Sequence, residues 1–248
     1  MIAQCAWAWH LLYMSRPISG PHKLSPEILV RAYAAGIFPM SEGRDDPAIF
    51  WIDPQLRGII PLDSLHISKS LRKVLRRGTY RVTANTCFER IIKECAVPRQ
   101  GQDTEHGRIQ ETWINDEIMR AYTEMHHLNL AHSIEVWQGN DLVGGLYGIH
   151  LKGAFMGESM FSRVPNASKI ALVHLVLRLR ISGFSLLDTQ FITDHLASMG
   201  GVEISGQDYQ GRLERALLID AHFLGSPSKG AIESELVKMF SQSNSHIS

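Results

Sequence analysis

Two short stretches hold residues whose types and spacing could do chemistry. Asp188 and Gln190 close an apolar run, FSLLDTQF, that reads as a buried strand over residues 184–191. In extended backbone, side chains at i and i+2 share a face. A carboxylate there can accept from the glutamine amide, fix its flip and turn its carbonyl oxygen outward. That oxygen can hold an attacking amine in line, although a neutral amide is a poor general base. The competing reading is a strand end where two polar residues meet water. In Gly157-Glu158-Ser159-Met160-Phe161-Ser162, Glu158 interrupts a second apolar strand. It either faces a pocket and pairs with a cationic substrate, or is an edge carboxylate in solvent. Ser159 does not sit in a G-x-S-x-G elbow, because Phe161 occupies the second glycine position. A Ser159, His195, Asp188 triad stays open, since triads are defined in space.

Nothing in the sequence points to a metal or a cofactor. The twelve histidines include no H-E-x-x-H, and the adjacent His126 and His127 point to different helix faces. His132, His150 and His174 read as structural. There is no P-loop and no dinucleotide G-x-G-x-x-G; Gly144, Gly145 and Gly148 lie within a strand pattern, where a bulge or close backbone approach explains them. Cys5, Cys87 and Cys95 fit neither a zinc site nor a secreted disulfide framework. Reduced thiols and a cytoplasmic location follow as the expectation.

Lys and Arg number 25, as do Asp and Glu, so the formal net charge is zero. Taken whole, that balance argues against a nucleic-acid partner. Resolved along the chain it does not, because residues 66–99 carry nine basic and two acidic side chains, leaving them at +7 and the remainder at −7. Lys69, Arg72, Lys73, Arg76 and Arg77 fall in one helix with no acid among them. They form either a solvated face or a contact for a phosphate backbone. Trp51 and Trp113, in a loop and at a helix start, would stack a base or pack into the core.

These residues need elements to position them. The sequence of 248 residues, 44% of them hydrophobic, suffices for one or two domains. Ser25-Pro26-Glu27 opens a helix that Gly36 closes, followed by a loop with aromatic anchors up to about residue 61. A helix over 68–77 ends at Gly78, and the strand TYRVTA follows. Asn85 or Thr86 caps the next helix, a polar loop spans 98–111, and Asn115 starts a helix to about residue 128. From His132 the apolar period changes from 3.6 to 2, giving an antiparallel meander. Asn166 caps a long helix with Ile170, Val173, Val176, Leu177 and Ile181 as its buried stripe. The apolar strand and a helix over 194–199 complete an α+β domain whose last strand lies inside the sheet. The first fourteen residues are apolar but lack a preceding cation and fall short of a membrane span, so no membrane partner is expected. Residues 225–248 read as a frayed tail around one short helix. The division expected is an extension (1–24), a small N-terminal domain (25–62), a catalytic domain (63–224) and the tail.

Several separated blocks also carry a family resemblance: AYAAGIFPM, FWIDPQLRGIIPLDSLHISKSLRK, TWIND, AHSIEVW, LVGGLYG, FMGESMFSRVPNASKIALVHL and LLDTQF. Over residues 25–223 the chain resembles the leucyl/phenylalanyl-tRNA–protein transferases. The resemblance implies a small N-terminal domain and an acetyltransferase-like (GNAT-like) catalytic domain. It implies transfer of Leu or Phe, less readily Met, from aminoacyl-tRNA to the N-terminal Arg or Lys of a protein, which creates a bacterial degradation signal (N-degron). Position by position, Asp188 and Gln190 match the catalytic pair, and Glu158 matches the carboxylate that helps receive the cationic acceptor. Trp51 and Trp113 match aromatics near the 3′-terminal adenosine. Leu146, Phe155, Ser159, Met160, Leu175 and Leu179 match the apolar pocket for the aminoacyl side chain. The best-known form of the family carries aromatics at the places of Leu175 and Leu179, so the choice between Leu and Phe stays open.

The mechanism expected is direct acyl transfer without a covalent enzyme intermediate, because the aminoacyl ester already carries the free energy. Three rivals remain: an acyl-CoA-dependent N-acetyltransferase of the same fold, a non-catalytic RNA-binding module, and a serine hydrolase using Ser159. The first needs a glycine-rich loop to cradle the CoA pyrophosphate, whereas FSRVPNASK contains no glycine.

Overall fold

The computed structural model describes residues 23–97 and 112–245. The apolar first fourteen residues and the polar loop expected at 98–111 lie outside the described residues. Helix α1 (Pro26–Ala34) starts where its signals place it, with the Ser25 side chain accepting from the Ile28 N–H and Glu27 in the first turn. Gly36 makes the left-handed exit at φ 84°. The segment read as a loop then folds into a small two-stranded sheet, β1 (Phe38–Met40) against β2 (Phe50–Ile52). Trp51 therefore stands on a strand, opposite Pro39.

The main sheet has seven strands: β3 (Leu56–Ile59), β4 (Arg81–Ala84), β5 (Ala131–Gln138), β6 (Asp141–Leu151), β7 (Ala154–Ser162), β8 (Leu186–Gln190) and β9 (Val202–Ser205). Their order is β4-β5-β6-β7-β8-β3-β9. The meander β5-β6-β7 is as expected, with β4 added at its edge. β8 is interior and runs parallel to β7, while the other neighbours are antiparallel. β3, read as part of the small N-terminal module, inserts between β8 and β9. The sequence reading missed β9, because this largely exposed edge strand is only four residues long, too short for its alternation to stand out.

Helices cover both faces. Against one lie α1, α3 (Phe88–Cys95), α4 (Asp116–His127) and α7 (Gly206–Leu217), which bury Tyr33, Phe88, Tyr122 and Leu213 with Tyr147 and Met156 of the sheet. Against the other lie α2 (Lys69–Arg77), α5 (Ala167–Ile181) and α8 (Lys229–Ser245), which bury Leu71, Leu175, Val176 and Phe240 with Phe155 and Leu187. The short α6 (Asp194–Ala197) follows β8. α5 is buried nearly all round, beyond the single stripe expected, because the sheet and two helices enclose it.

Three terminal signals are used differently from their sequence reading. Cys87, not Asn85 or Thr86, takes the N-cap place of α3 and makes no side-chain cap bond. Asn85 instead accepts the Ser133 N–H at 3.0 Å. The Thr86 hydroxyl goes to Glu135 at 2.8 Å. Glu135 is fully buried and also takes the Thr83 and Ser133 hydroxyls, so the β4–β5 corner consumes these polar groups. Asn166 precedes α5 at φ 70° without a cap bond. The tail is not frayed around a short helix. Its α8 runs to Ser245, buries Met239 and Phe240, and pairs Glu235 with Arg180 at 2.6 Å.

The clearest local energy is the N-cap of α2, where the Ser68 hydroxyl accepts the Leu71 N–H at 3.2 Å. Ser68→Ala is expected to lower stability by about 1 kcal/mol. Urea unfolding checks it, as a lower midpoint at an unchanged slope.

Candidate active site

β7 and β8 pair only at Ala154–Leu186, Phe155–Leu187 and Met156–Asp188. Beyond that point β7 follows β6 while β8 follows β3. The two parallel strands thus part and open a gap, with Glu158 on one lip and Gln190 on the other. The Gln190 amide donates to Glu158 Oε1 across it at 3.2 Å.

Each lip has a backbone irregularity that aims its side chain. On β7, Gly157 pairs with Gly148 and Ser159 with Tyr147, so Glu158 is an extra residue, a β-bulge. On β8, Gln190 adopts φ 57°, unusual for a residue with a side chain. Its backbone N–H donates to Asp188 Oδ1 at 2.9 Å, and Phe191 N–H turns back to the Thr189 carbonyl at 2.6 Å. Gly58 lets β3 pass this turn, since a Cβ there would stand 2.7 Å from the Phe191 carbonyl carbon. The Asp188–Gln190 contact therefore differs from the sequence expectation. Asp188 holds the main-chain N–H of Gln190, and Glu158 holds its amide, because the left-handed turn carries Gln190 off the strand face it would share with Asp188.

Asp188 is fully buried and its charge is met by Arg57 of β3. Arg57 Nε donates to Oδ1 at 2.9 Å and Nη2 to Oδ2 at 2.6 Å. The Tyr209 hydroxyl donates to Oδ2 at 2.9 Å. With these bonds and the Gln190 N–H, both oxygens are occupied, which leaves Asp188 no capacity to orient His195 in a triad with Ser159. Arg57 is itself 1% exposed. It lies between the rings of Phe38 (4.7 Å) and Tyr209 (4.4 Å) and donates through Nη1 to the Gly36 carbonyl at 2.9 Å. Burial opposes its charge, and Asp188 more than offsets that, leaving the guanidinium more basic than usual.

Glu158 accepts the Tyr33 hydroxyl at 2.8 Å and the Tyr122 hydroxyl at 3.1 Å, and the two tyrosines are hydrogen-bonded to each other. Glu158 is half-buried. Burial pushes its carboxyl up to about 8; the tyrosine bonds oppose this and the nearby Asp188 charge adds to it.

The resemblance-derived pocket residues mostly gather on the other face of the sheet. Leu146, Phe155, Leu175 and Leu179 share one apolar cluster, with Met160 packed against it. Met160 pairs with Leu146, whereas Ser159 pairs with Tyr147, whose ring belongs to the opposite face. Ser159 and Met160 take opposite faces by ordinary alternation, and the bulge sets which face each takes. Trp51 and Trp113 are half-buried against the first cluster. Ser41 donates to the Trp113 carbonyl at 2.7 Å, tying its segment to the loop between β1 and β2. On α2, Lys69, Lys73, Arg76 and Arg77 are exposed. Arg72 differs from its expected place on a solvent or phosphate face: it is 8% exposed and donates through Nε to the Ile67 carbonyl at 2.9 Å.

Sequence reasoning missed Arg57, Tyr209, Tyr33 and Tyr122. The signal available was a lone arginine in the apolar stretch QLRGII, which demands a buried partner, but nothing in one sequence names that partner. Either Arg57→Leu or Asp188→Leu should cost about 3–5 kcal/mol by stranding the opposite charge. The double variant should cost far less than the two combined. Urea unfolding of all four proteins measures this, and additive losses would refute the coupling.

Residues 59–214 match the family model for the leucyl/phenylalanyl-tRNA protein transferase, and residues 22–55 match the model for that enzyme's N-terminal domain. The chain is 56% identical over 200 residues to the leucyl/phenylalanyl-tRNA–protein transferase of Rhodospirillum rubrum, covering 81% of this chain and 91% of that one. It is 49% identical over 215 residues to the enzyme of the same name from Afipia carboxidovorans, covering 87% and 92%. With the one from Maricaulis maris it shares 53% identity over 203 residues, 82% and 91% of the two chains. This chain belongs to the leucyl/phenylalanyl-tRNA–protein transferase family.

Proposed function

We propose that this protein moves an aminoacyl group from aminoacyl-tRNA to the N-terminus of an acceptor protein, and that the reaction takes place in the gap where β7 and β8 part. The observation that carries the proposal is Gln190 reaching Glu158 across that gap, at 3.2 Å, in a chain of this family. The catalytic domain is read as GNAT-like. An antiparallel meander, a helix, and a parallel strand splayed from its neighbour support that reading. The donors are Leu and Phe, less readily Met, and the acceptors begin with Arg or Lys, so the product is an N-degron in the cytoplasm. Among the described residues no helix is long and apolar enough to cross a membrane. The β7–α5 connection, Ser162 to Asn166, contains no glycine, which disfavours the acyl-CoA alternative.

The acceptor arrives with an α-ammonium whose ordinary pKa is about 8. Glu158, raised to about 8, takes one of its protons without a large mismatch. With its Nε2 donated to Glu158, Gln190 keeps Oε1 to accept from the amine and aim it. The amine nitrogen attacks the ester carbonyl carbon, the new C–N bond forms, and the C–O bond to the terminal ribose breaks. The departing ribose oxygen takes up the second proton, which the nitrogen loses on becoming an amide, and Glu158 releases the first to solvent. Asp188 acts through the backbone of Gln190 as a positioning residue. Half-buried Met160, backed by the buried cluster of Leu146, Phe155, Leu175 and Leu179, is read as the apolar side that receives the aminoacyl side chain. Such a pocket separates Leu from Val by only about 1–3 kcal/mol but strongly excludes charged groups. The half-buried Trp51 and Trp113 are read as the stack for the terminal adenosine, and the exposed cations of α2 as the contact for the tRNA backbone.

Labelled leucyl-tRNA with a protein beginning in Arg tests the assignment, with acetyl-CoA and ester controls; no label on the protein overturns it. Gln190→Ala should lose most transfer yet still bind aminoacyl-tRNA, and wild-type activity would remove Gln190 from the mechanism. Wild-type kcat/KM should climb with pH toward a plateau above about 8, because the base is the ionised Glu158. Glu158→Gln should cost about 10²–10⁴ in rate and erase that ionisation from the profile. Lys73→Ala with Arg77→Ala should weaken leucyl-tRNA use. If each residue meets one phosphate, the log–log salt slope should flatten by about 0.9 per residue.

A further inference from the structure

The tail helix α8 lies beyond residues 59–214, the part matched by the family model, yet it touches the helix read as the tRNA contact. α2 needs help to hold a fixed pose. At nine residues it is shorter than the roughly 12–15 that stand alone in water. Its cations repel at i, i+4, in Lys69–Lys73, Arg72–Arg76 and Lys73–Arg77, and no acid in the helix offsets them. Leu71 is its one fully buried apolar side chain.

Phe240 of α8 meets two of those cations. The Arg72 guanidinium carbon lies 5.8 Å from the ring centroid and that of Arg76 lies 5.1 Å from it. Both distances are within cation–π range. The ring is itself fixed. Phe240 is 8% exposed, next to Met239 at 2%. α8 is anchored to α5 by Arg180, whose Nε pairs with Glu235 at 2.6 Å and whose Nη1 donates to Gln242 at 2.7 Å. The same Nη1 donates to the Leu62 carbonyl at 3.2 Å, in the segment that leads into α2. One arginine thus joins the strut to the entry of the helix it supports. Arg72 and Arg76 form one row along α2, and Lys69, Lys73 and Arg77 form the adjacent row. In the first row Arg72 is buried and Arg76 lies over the ring while still exposed; the whole second row is exposed.

We propose that α8 sets the pose of α2, with Phe240 as a positioning residue that seats Arg72 and Arg76 and turns Lys69, Lys73 and Arg77 toward the tRNA phosphates. This rests on the reading of α2 as the tRNA contact, and the test separates the two. Phe240→Ala, Phe240→Leu, Phe240→Trp and the Lys73→Ala/Arg77→Ala pair are assayed with leucyl-tRNA and with 3′-leucyl-adenosine, which has the ester but no phosphate. Phe240→Ala should raise KM for leucyl-tRNA about three- to tenfold, with kcat and leucyl-adenosine transfer unchanged. Phe240→Trp should restore KM, and Phe240→Leu, which keeps apolar bulk without a ring face, should not. If Phe240→Ala does not fold, the Leu and Trp pair carries the same comparison. Wild-type KM in Phe240→Leu, or equal losses with both donors, overturns the positioning role. If that happens while the Lys73/Arg77 pair still weakens tRNA use, the tRNA reading of α2 stands. A Lys73/Arg77 pair with wild-type KM removes the tRNA reading, and the strut with it.

Discussion

The buried pair of Arg57 and Asp188 is the contact on which the remainder of the site depends. Neither charge belongs in a protein interior alone, and each is tolerable only because the other is fully engaged. Arg57 spends its donors on Asp188 and on the Gly36 carbonyl, with two aromatic rings on its faces. One side chain therefore ties the exit of α1, the small sheet, β3, β8 and α7 to a common point. The carboxylate so fixed has one further acceptor direction for the Gln190 N–H. A left-handed residue with a side chain costs on the order of 1–3 kcal/mol, and this bond is what offsets it. Gln190 aims across the gap because Asp188 cannot move, and Asp188 cannot move because Arg57 is buried with it.

The opposite lip solves a different problem. A regular strand alternates its faces, so consecutive residues cannot both serve the same side. The extra residue at Glu158 breaks that alternation. Glu158 and Ser159 stay on the face of Tyr33, Tyr122 and Tyr147, and Met160 turns to the apolar cluster under α5. The polar group around Glu158 and the apolar cluster under α5 thus lie on either side of a single strand.

Much of this was legible in the sequence, and what was not has a physical reason. Helices with written ends, such as Ser25–Gly36 and Ser68–Gly78, appear as read because their signals are local. The meander and the interior β8 also follow from period and apolarity. Glu158, Asp188 and Gln190 stood out as polar residues in apolar strands, and the structure brings them together. Their partners did not stand out. Arg57 lies 131 residues from Asp188, and a long-range pair leaves no periodic trace. The bulge is invisible to an alternation pattern, and the resemblance that groups Ser159 with the pocket residues does not say which face of the strand it takes. Asn85 and Thr86 carry real capping chemistry, but the buried Glu135 made the stronger claim on them. α8 was read as frayed because Ser and Gln dilute its stripe, and only tertiary contact reveals what Met239 and Phe240 pack against.

Electrostatics at the gap complete the logic. With Arg57 and Asp188 cancelling and Glu158 mostly neutral below about pH 8, the reaction center holds little net charge before substrate arrives. An ionised Glu158 would have to be stabilised in a half-closed site with no cation of its own, since Arg57 is already committed. An incoming α-ammonium supplies that cation and so stabilises the ionised Glu158, the form able to take a proton from it. In the proposed reading the phosphate-bearing donor is met elsewhere, by exposed cations on α2, where water screens them and holding charge costs little. That reading puts positive charge on the surface and withholds it from the gap, which is how a chain of zero net charge would serve an anionic and a cationic substrate together.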